Sequence, residues 1–116
     1  VTVRGDGRGG PNQEYALAFA HALRPHPETF GRIAALAADT DGSDGGTGAA
    51  GDAAGAFVDA EVMTRMTARA RDSALDPAAA LARNDSTGFF EAAGGLLATG
   101  PTLTNVNDIR AILVDP

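Results

Sequence analysis

The chain has 116 residues, 44% of them hydrophobic, which is enough for one domain with a packed core. Its net charge of −6 excludes nucleic-acid binding through a basic surface, and the absence of cysteine excludes disulfides and thiolate chemistry. All nine basic residues are arginine, which excludes a P-loop because that motif needs a lysine. No apolar run reaches the ~20 residues that span a membrane, so we expect a cytoplasmic protein with no membrane partner.

The first half of the chain predicts a helix between two strands. Residues 1–4 alternate apolar and polar side chains, as a half-exposed strand does. A helix is predicted over 11–24, because Pro11 suits the first helical position and Pro25 stops further helix. Residues 33–38 are continuously apolar and predict a strand buried on both faces. The Gly- and Ala-rich segment 48–55 is typical of a loop.

The second half predicts short helices and three more strands, over 56–58, 96–98 and 109–114. Asp59 is expected to cap a helix whose buried stripe is Val62, Met63, Met66 and Ala70. A helix is also predicted over 77–83 after Asp76, and Ser86 is expected to cap a turn that carries Phe89 and Phe90. We therefore expect one α/β layered domain over 1–116, with a mixed, mainly parallel sheet flanked by helices.

A glycine-rich loop precedes the first helix. Gly5, Gly7 and Gly10 have the spacing of the dinucleotide fingerprint, but the alternating strand before them and the acid in the first helical turn argue against NAD. A helix N-terminus still offers backbone N–H groups to an anion, and Arg8 could add a charged hydrogen bond. The alternative is a surface turn with a solvated arginine.

An acidic turn follows the apolar strand, from Asp39 to Gly45. The positions of its carboxylates do not match a calcium-binding EF-hand loop. Asp41 and Asp44 stand at the end of a buried strand, where open sheets bind ligands, so either could contact Mg²⁺ or substrate. The alternative is an Asx turn, in which the carboxylate accepts a hydrogen bond from its own backbone.

Two further polar segments lie late in the chain. Asn84-Asp85-Ser86 is either a helix-capping loop or part of a site. The loop between the last two strands concentrates hydroxyl and amide groups that suit a small hydroxy acid. Its candidate residues are Thr99, Gly100, Thr102, Thr104, Asn105 and Asp108.

Four stretches, in this order and spacing, resemble the MOFRL domain, the C-terminal part of bacterial glycerate 2-kinases. They are Gly9-Gly10-Pro11-Asn12-Gln13-Glu14, Asp39-Thr40-Asp41-Gly42-Ser43-Asp44-Gly45, Asn84-Asp85-Ser86, and Thr99-Gly100-Pro101-Thr102 with Thr104-Asn105-Val106-Asn107-Asp108. Many family members carry the name hydroxypyruvate reductase. One departure is Pro11, where many members have Arg.

The resemblance implies one domain of a larger enzyme, with an active site between this domain and an N-terminal domain of the same chain. The implied reaction is phosphorylation of D-glycerate to 2-phosphoglycerate by ATP with Mg²⁺. We expect the isolated domain to be inactive; the full enzyme could form a homo-oligomer. The hypothesis gives Arg8, Asp41 and Asp44 catalytic roles, with Asp41 and Asp44 also as metal ligands. The expected substrate-binding residues are Asn12, Gln13, Asn84, Asp85, Thr99, Gly100, Thr102, Thr104, Asn105 and Asp108.

Two other functions stay open at this point. One is an NAD(P)H-dependent hydroxypyruvate reductase, and the other is a non-catalytic module that binds a small acid. Assays with hydroxypyruvate and NADH, and with glycerate and Mg-ATP, distinguish the two enzymes.

Overall fold

The computed structural model describes residues 7–45, 51–69 and 71–116, in which four α-helices pack against a four-stranded sheet. The strands are β1 (Ile33–Asp39), β2 (Gly55–Val58), β3 (Leu96–Leu97) and β4 (Asp108–Val114). The helices are α1 (Pro11–Leu23), α2 (Ala60–Ala68), α3 (Pro77–Arg83) and α4 (Ser86–Ala93), with single 3₁₀ turns at Pro27–Thr29 and Ser73–Leu75. The strand predicted over 1–4 and the stripe position Ala70 lie outside the described residues.

The sheet has the order β3-β2-β1-β4, and each of its three strand pairs is antiparallel. The prediction of a mixed, mainly parallel sheet is therefore wrong. A parallel pair needs a crossover connection, usually through a helix. β2 instead pairs antiparallel with β1, so the second strand runs back beside the first. β3 and β4, although consecutive, lie at opposite edges of these four strands.

The core lies between one face of the sheet and the helices. Ala35 and Ala37 of β1 and Ala56 and Val58 of β2 are buried on this face, whereas the alternate residues Ala34 and Leu36 are only half-buried. Ala38, on the same face as Ala34 and Leu36, is buried, so the expectation that β1 is buried on both faces holds only at that end of the strand. The main buried helical residues are Ala16, Leu17, Ala20, Leu23, Val62, Met63, Met66, Phe89 and Phe90.

Local signals set most helix boundaries. The side chain of Asp59 accepts a hydrogen bond from Val62 N at 2.9 Å and caps α2, as predicted. Asp76 caps α3 in the same way through Ala78 N at 3.1 Å. The cap of α4 is Asp85, which accepts from Gly88 N at 3.3 Å, so the prediction of Ser86 as the cap is wrong by one residue.

β4 is an exposed strand at the edge of the sheet and carries Asp108 at its start. It pairs with β1 along its whole length, from Asp39 opposite Asp108 to Ile33 opposite Val114. The guanidinium of Arg110 lies 4.4 Å from the ring centre of Tyr15, which joins β4 to α1. None of the helices in the described ranges is long and apolar enough to cross a membrane.

Candidate functional site

The start of α1 is closed by the carboxylate of Asp44. Its Oδ1 accepts hydrogen bonds from Asn12 N at 3.0 Å and Asn12 Nδ2 at 3.2 Å. Its Oδ2 accepts from Gln13 N at 2.8 Å and Gln13 Nε2 at 3.1 Å. Asp44 is only 3% exposed, and Asn12 and Gln13 are also buried. Four donors therefore satisfy both carboxylate oxygens, and a negative charge from within the chain lies at the positive end of the helix.

This geometry changes the interpretation of the glycine-rich loop. The expectation that the first N–H groups of α1 are free for a substrate anion is wrong, because Asp44 accepts from Asn12 N and Gln13 N and Pro11 has no N–H. Gly10 allows Asp44 to lie this close to the start of α1, because a Cβ on Gly10 would overlap the backbone oxygen of Asp44. The catalytic and metal-binding roles of Asp44 stay predictions, and its saturated oxygens favour a structural role.

Thr40 joins the acidic turn to the loop before β4. Its backbone N and its hydroxyl both donate to Asn107 O, at 3.0 Å and 2.7 Å, and its Oγ1 accepts from Val106 N at 2.9 Å. Thr102 Oγ1 donates to Thr40 O, and Thr102 N lies 3.4 Å from Asp41 O. The sequence analysis did not single out Thr40, although a hydroxyl between two acids was the available signal.

Asp41 forms the Asx turn that the sequence left open as an alternative. Its Oδ1 accepts from Ser43 N at 2.8 Å, and its own N–H donates to Asp39 Oδ1 at 3.1 Å. The largest single influence on the pKa of Asp39 is this hydrogen bond from Asp41 N, which lowers it. Desolvation, the hydrogen bond with the Asp41 carboxyl group and the negative charges of Asp41 and Asp108 act in the opposite direction. Their sum is larger, so the pKa of Asp39 lies above its usual value. Three carboxyl groups therefore face each other at this end of the sheet.

Asp108 connects this acidic group to α1. Its Oδ1 accepts from Asn12 Nδ2 at 2.8 Å, the same amide that contacts Asp44. Asn105, in contrast, uses its side-chain oxygen locally, accepting from Asn107 N at 2.9 Å. Among the other predicted residues of this loop, Thr99 donates to Gly100 O at 2.9 Å, and Thr102 Oγ1, which donates to Thr40 O, accepts from Thr104 N at 3.4 Å.

Arg8 lies on the other side of α1, against α4. Its guanidinium makes two hydrogen bonds to Glu91, at 2.8 Å and 3.0 Å, and both side chains are about half exposed or more (63% and 49%). The hydrogen bond from Arg8 lowers the pKa of Glu91. Arg8 N donates to Asp85 Oδ1 at 3.1 Å. Arg8 is thus an exposed arginine, as in the surface alternative, but its guanidinium is paired with Glu91.

Asn84 and Asp85 occupy the corner between α3 and α4. Asn84 ends α3 in the left-handed conformation (φ 53°), and Asp85 caps α4, so both have the capping role that was the alternative to a binding role. The corner also contacts the glycine-rich loop, through Gly7 N to Arg83 O at 3.1 Å and Thr87 N to Arg8 O at 2.9 Å.

Glu14 is a buried acid that the sequence analysis did not select. It is 8% exposed and lies beside Asn84 and Ser86, which are 8% and 0% exposed. Burial raises the pKa of Glu14, and the Asp85 charge adds to this, whereas hydrogen bonding from Ser86 and Asn84 opposes it. The sequence offered one signal for this burial. Asn12, Gln13 and Glu14 are consecutive, so they point to different sides of the helix, and neighbouring loops must cover several sides of its start if all three are buried.

Two neighbouring cavities lie on either side of the glycine-rich loop. One, of about 480 Å³, is bordered by Arg8, Gln13, Asp52, Thr87 and Glu91, among others. The second, of about 430 Å³, is lined by Gly7, Gly9, Gly10, Pro11, Glu14, Gly45 and Asn84. The glycine-rich loop, the acidic turn and the corner between α3 and α4 line these cavities, and the fourth stretch reaches the start of α1 through Asp108, which accepts from Asn12 Nδ2.

Known proteins resemble this chain over nearly its whole length. The MOFRL family matches residues 1–108. A protein of Agrobacterium vitis, provisionally named hydroxypyruvate reductase, is 50% identical over 109 residues, covering 94% of this chain and 22% of its own length. D-glycerate 2-kinase of Thermotoga maritima is 43% identical over 109 residues, covering 94% of this chain and 23% of its own length.

Solved structures show the same fold. The crystal structure of a glycerate kinase from Thermotoga maritima superposes with a TM-score of 0.80 at 42% identity, over 98% of this chain and 25% of that chain. A protein from Pyrococcus horikoshii gives a TM-score of 0.77 at 38% identity, over 99% of this chain and 24% of that chain. The chain thus spans only a minor part of the length of the proteins it matches.

Proposed function

Because this chain belongs to the MOFRL family, we propose that it forms one side of the active site of a glycerate kinase, in which ATP phosphorylates D-glycerate to 2-phosphoglycerate. The kinase names of the Thermotoga relative and of the superposed structure support this choice. The remaining side of the site is assigned to an N-terminal domain of the same chain, because this domain contains no lysine. D-glycerate is the proposed substrate of the whole enzyme.

One observation carries the proposal: the four polar stretches contact each other around the start of α1. Asp108 and Asp44 share the Asn12 amide, and the glycine-rich loop contacts the corner at Asp85. Phosphoryl transfer depends mainly on positioning and on neutralising charge. A rigid group of loops with hydroxyls, amides and carboxylates suits the positioning part.

The individual roles follow from which groups are already engaged. Asn12 and Gln13 hold Asp44 and so fix the loops. Arg8 is proposed to bind anionic oxygens. To do so, its guanidinium would leave Glu91 and bind these oxygens instead. Asp41 and Thr102, at the joined loops, are proposed to orient the glycerate. Asn84, Asp85, Thr99, Gly100, Thr104, Asn105 and Asp108 shape the surface around them.

Magnesium does not fit the described part of this domain as a self-contained site. In residues 7–45, 51–69 and 71–116, no three acidic or histidine side chains lie close enough together to hold a metal ion. Both oxygens of Asp44 are saturated, and one oxygen of Asp41 accepts from Ser43 N. We therefore derive no step through the ion from these residues.

Kinetics of the full-length enzyme test the proposal. With D-glycerate and Mg-ATP we expect 2-phosphoglycerate, and Asp41→Asn should lower kcat/KM at least tenfold if Asp41 contacts the reacting hydroxyl. Asp115→Asn, an exposed aspartate beyond the other end of β4, is the matched control and should leave kcat/KM unchanged. Equal rates for wild type and Asp41→Asn would remove Asp41 from the site.

The name of the Agrobacterium relative favours a second candidate, reduction of hydroxypyruvate. The same enzyme incubated with hydroxypyruvate and NADH distinguishes the two. NADH oxidation without ATP consumption would replace the kinase by the reductase. Binding of glycerate without either turnover would leave a small-acid binding module.

A further inference from the structure

The exposed large apolar side chains of the described residues are concentrated in one segment, the loop before β4 and β4 itself. Their exposed fractions run from 49% to 98%. Concentrations of exposed apolar side chains on a folded domain mark surfaces that contact another protein or domain. The six side chains, together called the β4 surface, are Leu103, Val106, Ile109, Ile112, Leu113 and Val114.

The open side of β4 also offers unpaired backbone groups. Asn107 O accepts from Thr40 N just before β4, and Asp115 N donates to Arg32 O just after it. Along an antiparallel strand, successive residues bond alternately toward and away from the neighbouring strand. Residues 109, 111 and 113 therefore bond to β1, and the N–H groups that face away from it are those of Arg110, Ile112 and Val114. Within the described residues no strand pairs with this side of β4.

An apolar groove crosses the sheet beside this edge. The register places Leu113 opposite Ala34 and Ala111 opposite Leu36, and Leu36 lies opposite Phe57 on its other side. These side chains border an open groove of about 440 Å³ that runs over β4, β1 and β2. An unpaired strand next to an apolar groove fits a partner that adds a strand and places side chains in the groove.

The rest of the same polypeptide is the partner that these observations favour. The chain spans only about a quarter of the length of the proteins it matches. Leu103 and Val106 belong to the loop that carries Thr102 and Asn105, which the proposed function places at the boundary with the N-terminal domain. A segment of the same chain also meets this surface at a far higher effective concentration than a second copy does. We propose that the N-terminal domain covers the β4 surface and adds a strand to the free edge of β4. The choice of partner rests on the proposed function.

Photo-crosslinking of the full-length enzyme identifies what covers the surface. Leu113→p-benzoylphenylalanine places a photoreactive group on it, and Thr64→p-benzoylphenylalanine, at an exposed position of α2, is the control. Cross-linked peptides are identified by mass spectrometry, with mixed isotope-labelled and unlabelled enzyme to separate links within one chain from links between copies. We expect the probe at Leu113, and not the control, to join the N-terminal domain of the same chain. Links between copies, or no link at all, would overturn the proposal.

Hydrogen exchange of the full-length enzyme tests the added strand. The amides of Arg110, Ile112 and Val114 should exchange about 100-fold or more slowly than open amides. Leu113→Asp places a charge at the contact and should speed their exchange at least tenfold, whereas Thr64→Asp should leave it unchanged. Exchange of these three amides at the rate of open amides in the wild type would refute the added strand without any variant.

The outcomes also separate this surface from the kinase proposal. If the wild type phosphorylates D-glycerate while the three amides exchange freely, the surface is refuted and the kinase stands. If the amides are protected and Leu113 joins the N-terminal domain but no ATP is consumed, the surface stands and the kinase is refuted.

Discussion

Replacing Asp44 by asparagine should be among the most destabilising isosteric changes in this chain. The substitution converts one carboxylate oxygen into an NH₂ group, so two of the four N–H donors around it would face a donor instead of an acceptor. A hydrogen bond to a charged group contributes about 1.5–3 kcal/mol, and two are lost here. Allowing for local rearrangement, we expect the free energy of unfolding to fall by about 3–4 kcal/mol.

A loss of this size is a large part of the 5–15 kcal/mol that stabilises a typical domain. At about 4 °C per kcal/mol for a domain of this size, the melting temperature should fall by about 12–16 °C. Urea unfolding followed by far-UV circular dichroism measures the difference, provided that the m-value is unchanged.

Asp41→Asn is the matched control for this measurement. Its side chain accepts one hydrogen bond within a half-buried turn, and asparagine keeps an oxygen for that bond. We expect a change of less than about 1 kcal/mol. If Asp44→Asn is also within about 1 kcal/mol of wild type, the carboxylate does not hold the start of α1 as described.

Three further changes test other contacts. The raised pKa of Glu14 makes the folded chain bind a proton more readily than the unfolded chain, so wild-type stability should fall as the pH rises above the ordinary pKa of 4.5. The urea midpoint of Glu14→Gln should therefore rise relative to that of wild type over this pH range. A difference between the two midpoints that does not change with pH would contradict the burial effect. Gly10→Ala should lower the free energy of unfolding by about 1–3 kcal/mol in a thermal melt, while Gly31→Ala, whose Cβ would meet no atom within 4 Å, should change it little. Tyr15→Leu, which removes the ring that holds the Arg110 guanidinium, should speed amide exchange in β4 about two- to fivefold, and unchanged protection would show that the contact does not hold the strand.

The helices could be predicted from the sequence because their boundaries depend on neighbouring residues. Pro11 begins α1, Asp59 caps α2, and Asp76 with Pro77 begins α3. Each signal acts within a few positions along the chain, so no knowledge of the tertiary structure was needed.

The direction of the strands could not be predicted in the same way. The run from Ile33 to Ala38 is apolar on both faces because alanine occupies most of its positions, and this imitates the pattern of a central parallel strand. Its actual neighbours, β2 and β4, are set by long-range pairing that leaves no local signal. The error in the sheet follows from that ambiguity.

The same limit applies to the candidate site. Motif resemblance grouped the four polar stretches, and their contacts in the structure agree with that grouping. It did not show that Asp44 binds Asn12 and Gln13, which are 32 and 31 positions away, or that Glu91 holds Arg8. Engagement of a side chain by a distant partner decides whether it is available for a ligand, and only the folded chain shows this.

The Asp44 carboxylate at the start of α1 also makes this helix end insensitive to the anions in the buffer. Helix termini with open N–H groups take up sulfate or phosphate, and such proteins melt at higher temperature in those buffers. Here the counter-ion is covalently part of the chain, so dilution and dialysis cannot remove it. Changing the buffer anion should therefore leave this corner of the molecule unaffected.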